Sequence, residues 1–146
     1  MAEAPGAKML KVVGIIMVVF GGLGAVFIPA TTMILPFIAA IYAQMGIPFS
    51  IDAFRVGLIV GFVASLYNVF AGIMAILYNA SLYKARILRL IGIIAIAIVV
   101  IGVVIDYILL NSMQLGGMSA VSGLPINLVL PVLYVVGAVK NMGTAK

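Results

Sequence analysis

The most constraining feature of this chain is an uninterrupted apolar run. From Leu90 to Ile105 every residue is Leu, Ile, Val, Ala or Gly. Similar runs recur, and with their flanks they reach the roughly 20 residues that a helix needs to cross a bilayer core. Of the 146 residues, 66% are hydrophobic and 8% are charged, which is too little charge for a soluble surface. Since the alternation of barrel strands is absent, the sequence predicts an all-α integral membrane protein.

Hydropathy divides the chain into a single transmembrane domain of four spans. They cover about 10–43, 53–78, 87–110 and 124–139. As one straight helix the first would be about 51 Å long, against a hydrocarbon core of about 30 Å. We therefore expect Pro29 and Pro36 to kink or interrupt it, because each removes a backbone donor. Ser50 or Asp52 is placed to cap the start of the second span.

The basic residues predict the orientation of these spans. Lys84, Arg86 and Arg89 lie between the second and third spans, and the other cations except Arg55 flank the two ends of the chain. In a four-span protein those regions share one side. The positive-inside tendency then predicts that both termini are cytoplasmic, in a prokaryotic cytoplasmic membrane. We interpret the central cluster as a topology signal, with lipid-headgroup contact as the alternative.

The chain contains no cysteine and no histidine. This excludes disulfides, a thiolate nucleophile, a histidine-dependent triad and the usual ligands of zinc, haem and iron–sulfur clusters. Nothing pairs a nucleophile with a base. We therefore expect no enzyme activity, no metal and no cofactor. Nucleic acid is not an expected partner either, since the cations lie between apolar runs and form no basic patch.

The first and third spans are similar in sequence. Residues 10–26 align without gaps on residues 88–104, which places Gly14 opposite Gly92 and Gly24 opposite Gly102. Both spans would cross in the same direction, so the similarity indicates a parallel repeat of two helical hairpins. The alternative is that Gly- and Ile-rich spans resemble one another without duplication, because the second and fourth spans match poorly.

Small residues mark the helix faces that we expect to pack. In the second span they recur every three or four residues, and the third span carries a similar strip. The predicted packing residues are Gly57, Gly61, Ala64, Asn68, Gly92 and Gly102.

Two polar residues are candidates for a polar or ion site. Asn68, near the middle of its span, either forms a packing hydrogen bond or lines a pore or substrate site. Asp106 is the acid inside a predicted span, about 27 Å along its helix and close to the outer interface. It could stay hydrated there, cap nearby amides or pair with Arg55.

The end of the first span is unusually apolar for a segment that has already crossed the membrane. The expected partner-contact residues are Phe37, Ile38, Ile41, Tyr42 and Met45. Such side chains are costly to leave in water, so we expect them to contact another subunit, with a position in the lipid headgroup region as the alternative.

Two stretches, "LKVVGIIMVVFGG" and "KARILRLIGIIAI", resemble those of small four-span prokaryotic membrane proteins. The resemblance covers the first and third spans and implies no catalytic residues. Small multidrug resistance transporters also have four short spans. That family carries an essential glutamate in its first span, where this chain has no acid, so we disfavour it.

Two functions fit these features. The first is a non-enzymatic packing or structural subunit of a homo-oligomer or a larger membrane complex, surrounded by lipid. It accounts for the small-residue faces and the apolar outer segment. The alternative is a small oligomeric channel or transporter that uses Asn68 or Asp106.

Overall fold

The computed structural model describes residues 4–47, 49–112 and 124–143. Within these ranges there are four helices: α1 Ala7–Gln44, α2 Ile51–Tyr78, α3 Ala85–Ser112 and α4 Leu124–Gly143. All four are long and apolar enough to cross a membrane. The prediction of an all-α, four-span membrane protein is confirmed.

The helices form an up-and-down ring in which neighbours along the chain are neighbours in space. The most extensive contacts join α1 to α2 and α3 to α4, and α4 also contacts α1 to close the ring. The bundle is therefore built from two helical hairpins. Gly14 lies against Gly72 and Ala75 of α2, and its aligned counterpart Gly92 lies against α4. Each of these glycines thus packs on the helix that follows its own.

A seven-residue repeat runs along the face of α1 that packs on α2. Its members are Gly14, Gly21, Ile28, Leu35 and Tyr42. The first three lie opposite Gly72, Ser65 and Gly61 in turn, so α2 runs antiparallel to α1. Leu35 is fully buried, and Tyr42 stacks on Phe49 with ring centroids 4.9 Å apart. A period of seven is the pattern of left-handed helix pairs, and here it keeps the two helices together over their whole length.

Helix α1 continues through both of its prolines and is interrupted at neither. Next to Pro29, the hydroxyls of Thr31 and Thr32 donate to the carbonyls of Phe27 and Ile28, at 2.9 and 3.1 Å. Neither bond replaces the missing Pro29 donor, because the carbonyl that loses its partner is that of Ala25, four residues earlier. The helix has 38 residues and is therefore about 57 Å long if straight.

The turn between α1 and α2 is fixed by local interactions. Gly46 has a φ of 68°, a conformation that glycine adopts without strain. Ser50 caps α2, because its Oγ accepts a hydrogen bond from the Ala53 amide at 3.2 Å. The prediction of a cap at this point is confirmed, with Ser50 as the capping residue.

The end of the bundle that carries both described chain ends is closely packed. We call it the basic half (residues 7–21, 67–95 and 131–143), because its end bears Lys8, Lys11, Lys84, Arg86, Arg89 and Lys140. Among the described residues it holds every buried apolar side chain except Leu35 and Val103. Its core is formed around Leu10, Met17, Leu88 and Tyr134.

The remainder of the bundle, which we call the open half (residues 22–44, 51–66, 96–112 and 124–130), has few buried residues. Most of its large apolar side chains are exposed in the isolated chain. Lipid can cover such side chains, so a membrane bundle does not need to bury them against protein.

Candidate functional site

A cavity of about 600 Å³ lies where the four helices separate at the start of the open half. All four helices contribute to its lining, which is mostly aliphatic. The polar residues in the described lining are Asn68, Asp106 and Asn127. A mainly apolar pocket with a few polar groups is typical of small-molecule sites. The structure thus brings the two polar residues singled out in the sequence into one cavity, together with Asn127, which the sequence analysis did not single out.

Asp106 extends from α3 towards α2. A Cβ atom built on Gly57 would lie 3.4 Å from the Asp106 Oδ1 atom, so the carboxylate lies against the bare backbone of Gly57. The proposed pairing with Arg55 is not seen, since the Arg55 guanidinium lies 3.6 Å from the Asp52 carboxylate, one turn away. Within the described part of the chain Asp106 forms no ion pair. The carboxylate therefore faces the cavity without a protein cation beside it.

Asn68 lies at the boundary of the two halves. Its Cβ atom packs beside Gly21 of α1, while the residue also lines the cavity. Its amide makes no side-chain hydrogen bond to any other described residue. Asn68 therefore packs on α1 and borders the cavity at the same time, and its role as a pore or substrate residue stays a prediction.

Two tyrosines connect the helices between the cavity and the basic end. The Tyr67 hydroxyl on α2 donates to the Ile91 carbonyl on α3 at 2.8 Å. The Tyr134 hydroxyl on α4 crosses the bundle to donate to the Ala71 carbonyl on α2 at 3.1 Å. Neither residue lines the cavity. Both hydrogen bonds join helices on the basic side of the cavity lining.

The predicted packing glycines fall into two groups. A Cβ atom on Gly92 would lie 2.7 Å from Val135 and 2.9 Å from Tyr134, so α3 and α4 are in close contact there. Gly61 and Gly102 line the cavity instead, with Ala64 beside them. A Cβ atom on Gly61 would meet only the end of the Ile28 side chain at 3.3 Å, and one on Gly102 would meet only Val60, at 4.0 Å. At these two positions the small residues make room for the cavity.

The close contact of α1 with α2 involves glycines that the small-residue pattern did not select. A Cβ atom on Gly72 would lie 2.5 Å from the Gly14 carbonyl oxygen, and one on Gly21 would lie 2.7 Å from the Ser65 carbonyl oxygen. Both contacts are with backbone, which cannot move aside. The signal that could have found Gly14 and Gly21 is their seven-residue spacing on α1.

The most extensive polar contact in the basic half involves Asn141, which sequence reasoning missed. This residue of α4 is fully buried. Its Oδ1 atom accepts from the Gly6 amide at 2.7 Å, and its Nδ2 atom donates to the Asn79 carbonyl at 2.6 Å. One amide therefore joins the start of α1, the end of α2 and the end of α4.

The apolar outer segment of α1 is divided between two environments. Ile38 and Tyr42 are half-buried on the side of the α1–α2 hairpin, whereas Phe37, Ile41 and Met45 are exposed. The segment is therefore partly covered by its own chain. The remaining exposed face consists of Phe37, Ile41 and Met45.

The central basic cluster lies at the turn into α3. The Lys84 ammonium lies 3.8 Å from the centroid of the Tyr78 ring, a cation–π contact. Arg86 and Arg89 are exposed, as expected of residues that contact headgroups or water at a membrane surface.

No protein family, curated protein or solved structure matches this chain. In the three described ranges no group of acidic residues is placed to hold a metal ion. The fold defines the class as a four-helix membrane protein.

Proposed function

We propose that this protein is a non-enzymatic subunit of a membrane assembly, formed with further copies of itself or with other membrane proteins. Both termini and the basic end would face the cytoplasm. The observation that supports assembly is the exposed face of Phe37, Ile41 and Met45 at the far end of α1.

The position of this face along α1 makes it difficult to cover with lipid tails. From Lys11 to Met33 the helix rises about 33 Å, which already crosses a core of about 30 Å. Along the membrane normal, residues 37–45 would lie about 6–18 Å farther out. Burying a large apolar side chain is worth about 1.5–3 kcal/mol, so a protein partner at this height would be stabilising.

The test compares two pairs of substitutions on α1. The first changes Phe37 and Ile41, which are 73% and 55% exposed, to serine. The control changes Phe27 and Leu23, which are 63% and 48% exposed, also to serine. Both pairs combine a phenylalanine with an aliphatic residue four positions away, but the control pair lies at mid-membrane height.

Native mass spectrometry from mild detergent and cross-linking in the membrane measure the result. We expect the wild type and the control variant to remain associated and the Phe37→Ser, Ile41→Ser variant to dissociate. A wild-type monomer would overturn the proposal. So would an intact complex in the test variant, because the exposed face would then contact lipid headgroups.

The cavity supports a second candidate, a small channel or transporter. Of its polar lining residues, Asp106 and Asn127 are exposed and Asn68 is half-buried, so the cavity is open on the side of the open half. The Tyr67 and Tyr134 hydrogen bonds join helices on its basic side, so permeation would require the helices to part there or a path between subunits. Ionic currents across planar bilayers test this candidate: currents present in the wild type should disappear in Asn68→Leu while assembly persists.

A further inference from the structure

We propose that the cavity binds a monovalent lipophilic organic cation, with the Asp106 carboxylate as its counter-charge. The proposal names a ligand class for the second candidate function and depends on the cavity described above. It does not depend on assembly, since all four helices that form the cavity belong to one chain.

The described lining of the cavity carries a single negative charge. Asp106 is the acid of the described lining, and no lysine or arginine is part of that lining. The nearest basic residue along α2, Arg55, is engaged with Asp52. Asp106 is exposed at the opening of the cavity, so a cation that enters can reach its carboxylate, and a positive charge beside a carboxylate at the edge of an aliphatic wall is stabilising. A ligand that carries one positive charge would supply it.

The volume and the apolar wall of the cavity also suit an organic cation. The volume of about 600 Å³ lies within the roughly 300–1,000 Å³ of typical ligand pockets. Most of the wall is aliphatic, and Phe20 contributes an aromatic ring of the kind that attracts organic cations. A ligand that fills this space needs an apolar body in addition to its charge.

An inorganic cation fits the same wall less well. Calcium takes about six to eight oxygen ligands and magnesium about six in near-octahedral geometry. The described side chains offer one carboxylate and the amide oxygens of Asn68 and Asn127. Those amides are better suited to accept hydrogen bonds from a protonated amine or to contact the edge of a larger cation.

The ligand would enter from the open half. Asp106 and Asn127 of the lining are both exposed there, so the carboxylate can be reached from between the helices or from the surrounding lipid. A lipophilic cation concentrates in the lipid headgroup region, which is adjacent to that opening.

The experiment uses the full chain in nanodiscs of phosphatidylcholine, a lipid without net charge, with radiolabelled tetraphenylphosphonium as the probe. Equilibrium dialysis should show saturable binding. Asp106→Asn should weaken it by about tenfold or more, because it removes the counter-charge. Asp106→Glu keeps the charge and should restore most of the affinity.

Asp52→Asn is the matched control. It removes the same charge from the same end of the bundle but outside the cavity, and it should change affinity by no more than about twofold. Equal weakening by Asp52→Asn and Asp106→Asn would indicate a general surface-charge effect and overturn the proposal. Equally strong competition by neutral triphenylphosphine oxide would overturn it too, since the cavity would then be an apolar or lipid-tail site.

Binding and the other proposals can fail separately. Saturable binding of tetraphenylphosphonium without ionic current in planar bilayers would support the ligand site and count against the channel candidate. Native mass measured on the same samples reports assembly independently. Loss of the folded state in Asp106→Asn would appear in the circular dichroism of that sample, and Asp106→Glu then decides the case: retained binding supports the proposal and lost binding overturns it.

Discussion

In the basic half the four helices meet at glycine, alanine and buried tyrosine, whereas in the open half the same helices enclose a cavity. Both halves contain glycines at helical spacing. In the basic half a glycine such as Gly72 lets two backbones touch, whereas in the open half Gly61 faces only the end of the Ile28 side chain and Gly102 has no neighbour closer than 4.0 Å to an added Cβ atom. A small residue in a membrane helix therefore permits close approach but does not cause it.

The difference also separates two tasks. Buried hydrogen bonds and close backbone contacts hold the basic half together, and regions of this kind open least readily. Asn68 and Asp106, whose side chains have no hydrogen-bond or ion-pair partner among the described residues, lie at or beyond its edge, in the part of the bundle with fewer buried contacts. The cavity can therefore change shape around a ligand while the basic half preserves the arrangement of the helices.

The largest expected effect is an all-or-none difference in labelling between the two ends. A single cysteine at the exposed position Met45 should react with an impermeant maleimide from outside intact cells, and one at exposed Tyr83 should react only after permeabilisation. The absence of native cysteine removes background. The reverse pattern would show that the basic end faces outwards.

Truncating a tyrosine should lower the free energy of unfolding much more in the basic half than in the open half. Tyr134→Ala removes a fully buried ring and should lower the free energy of unfolding by about 3–5 kcal/mol. Tyr107→Ala, on the exposed side of α3, should cost less than about 1 kcal/mol. Denaturation by dodecyl sulfate, followed by circular dichroism, measures both. Similar losses would mean that the open half is as closely packed in the membrane as the basic half.

The buried amide of the basic half should be sensitive to a small change. Asn141→Ala leaves the Gly6 amide and the Asn79 carbonyl without their partner, and we expect a loss of about 2–4 kcal/mol in the same assay. Asn111→Ala is the control, because Asn111 is an exposed residue near the last turn of α3, at the end of the bundle opposite to Asn141. If both variants unfold at the same detergent fraction, the Asn141 contacts contribute little to stability.

The smallest effect should come from adding a single methyl group to a glycine. Gly72→Ala forces a Cβ atom against the Gly14 carbonyl and should cost about 1–3 kcal/mol. Gly61→Ala meets only a flexible isoleucine end, and it should be neutral or stabilising by up to about 1 kcal/mol because alanine favours helix. A larger loss of stability in Gly61→Ala than in Gly72→Ala would contradict the difference in packing between the two halves.

The helices themselves could be predicted from the sequence. The described bounds differ from the predicted spans by a few residues, because apolar length and capping are local properties. Ser50 is an example: its hydroxyl bonds to an amide three residues away. In contrast, the continuity of α1 through Pro29 and Pro36 could not be read from the prolines, since it also depends on packing against α2.

The site could be predicted only in part. Asn68 and Asp106 could be singled out because polar residues are rare among the apolar residues of their spans. That they line one cavity depends on how the four helices pack, which the sequence of one span does not encode. Asn141 was missed because it follows Lys140 beyond the predicted span and looks like a tail residue. Its partners lie 135 and 62 positions away in the chain, and no local pattern encodes such distances.

The unequal lengths of α1 and α4 have a consequence for the lipid around the protein. Helix α1 has 38 residues and α4 has 20, or about 57 and 30 Å if straight. Helix α4 matches an ordinary bilayer, while α1 has to tilt, project beyond the surface or thicken the lipid around it. Each ångström of hydrophobic mismatch costs a fraction of a kcal/mol. The outer part of α1 is therefore more stable in a thicker membrane or under a partner that covers it, and the protein should sort towards membranes that offer one of the two.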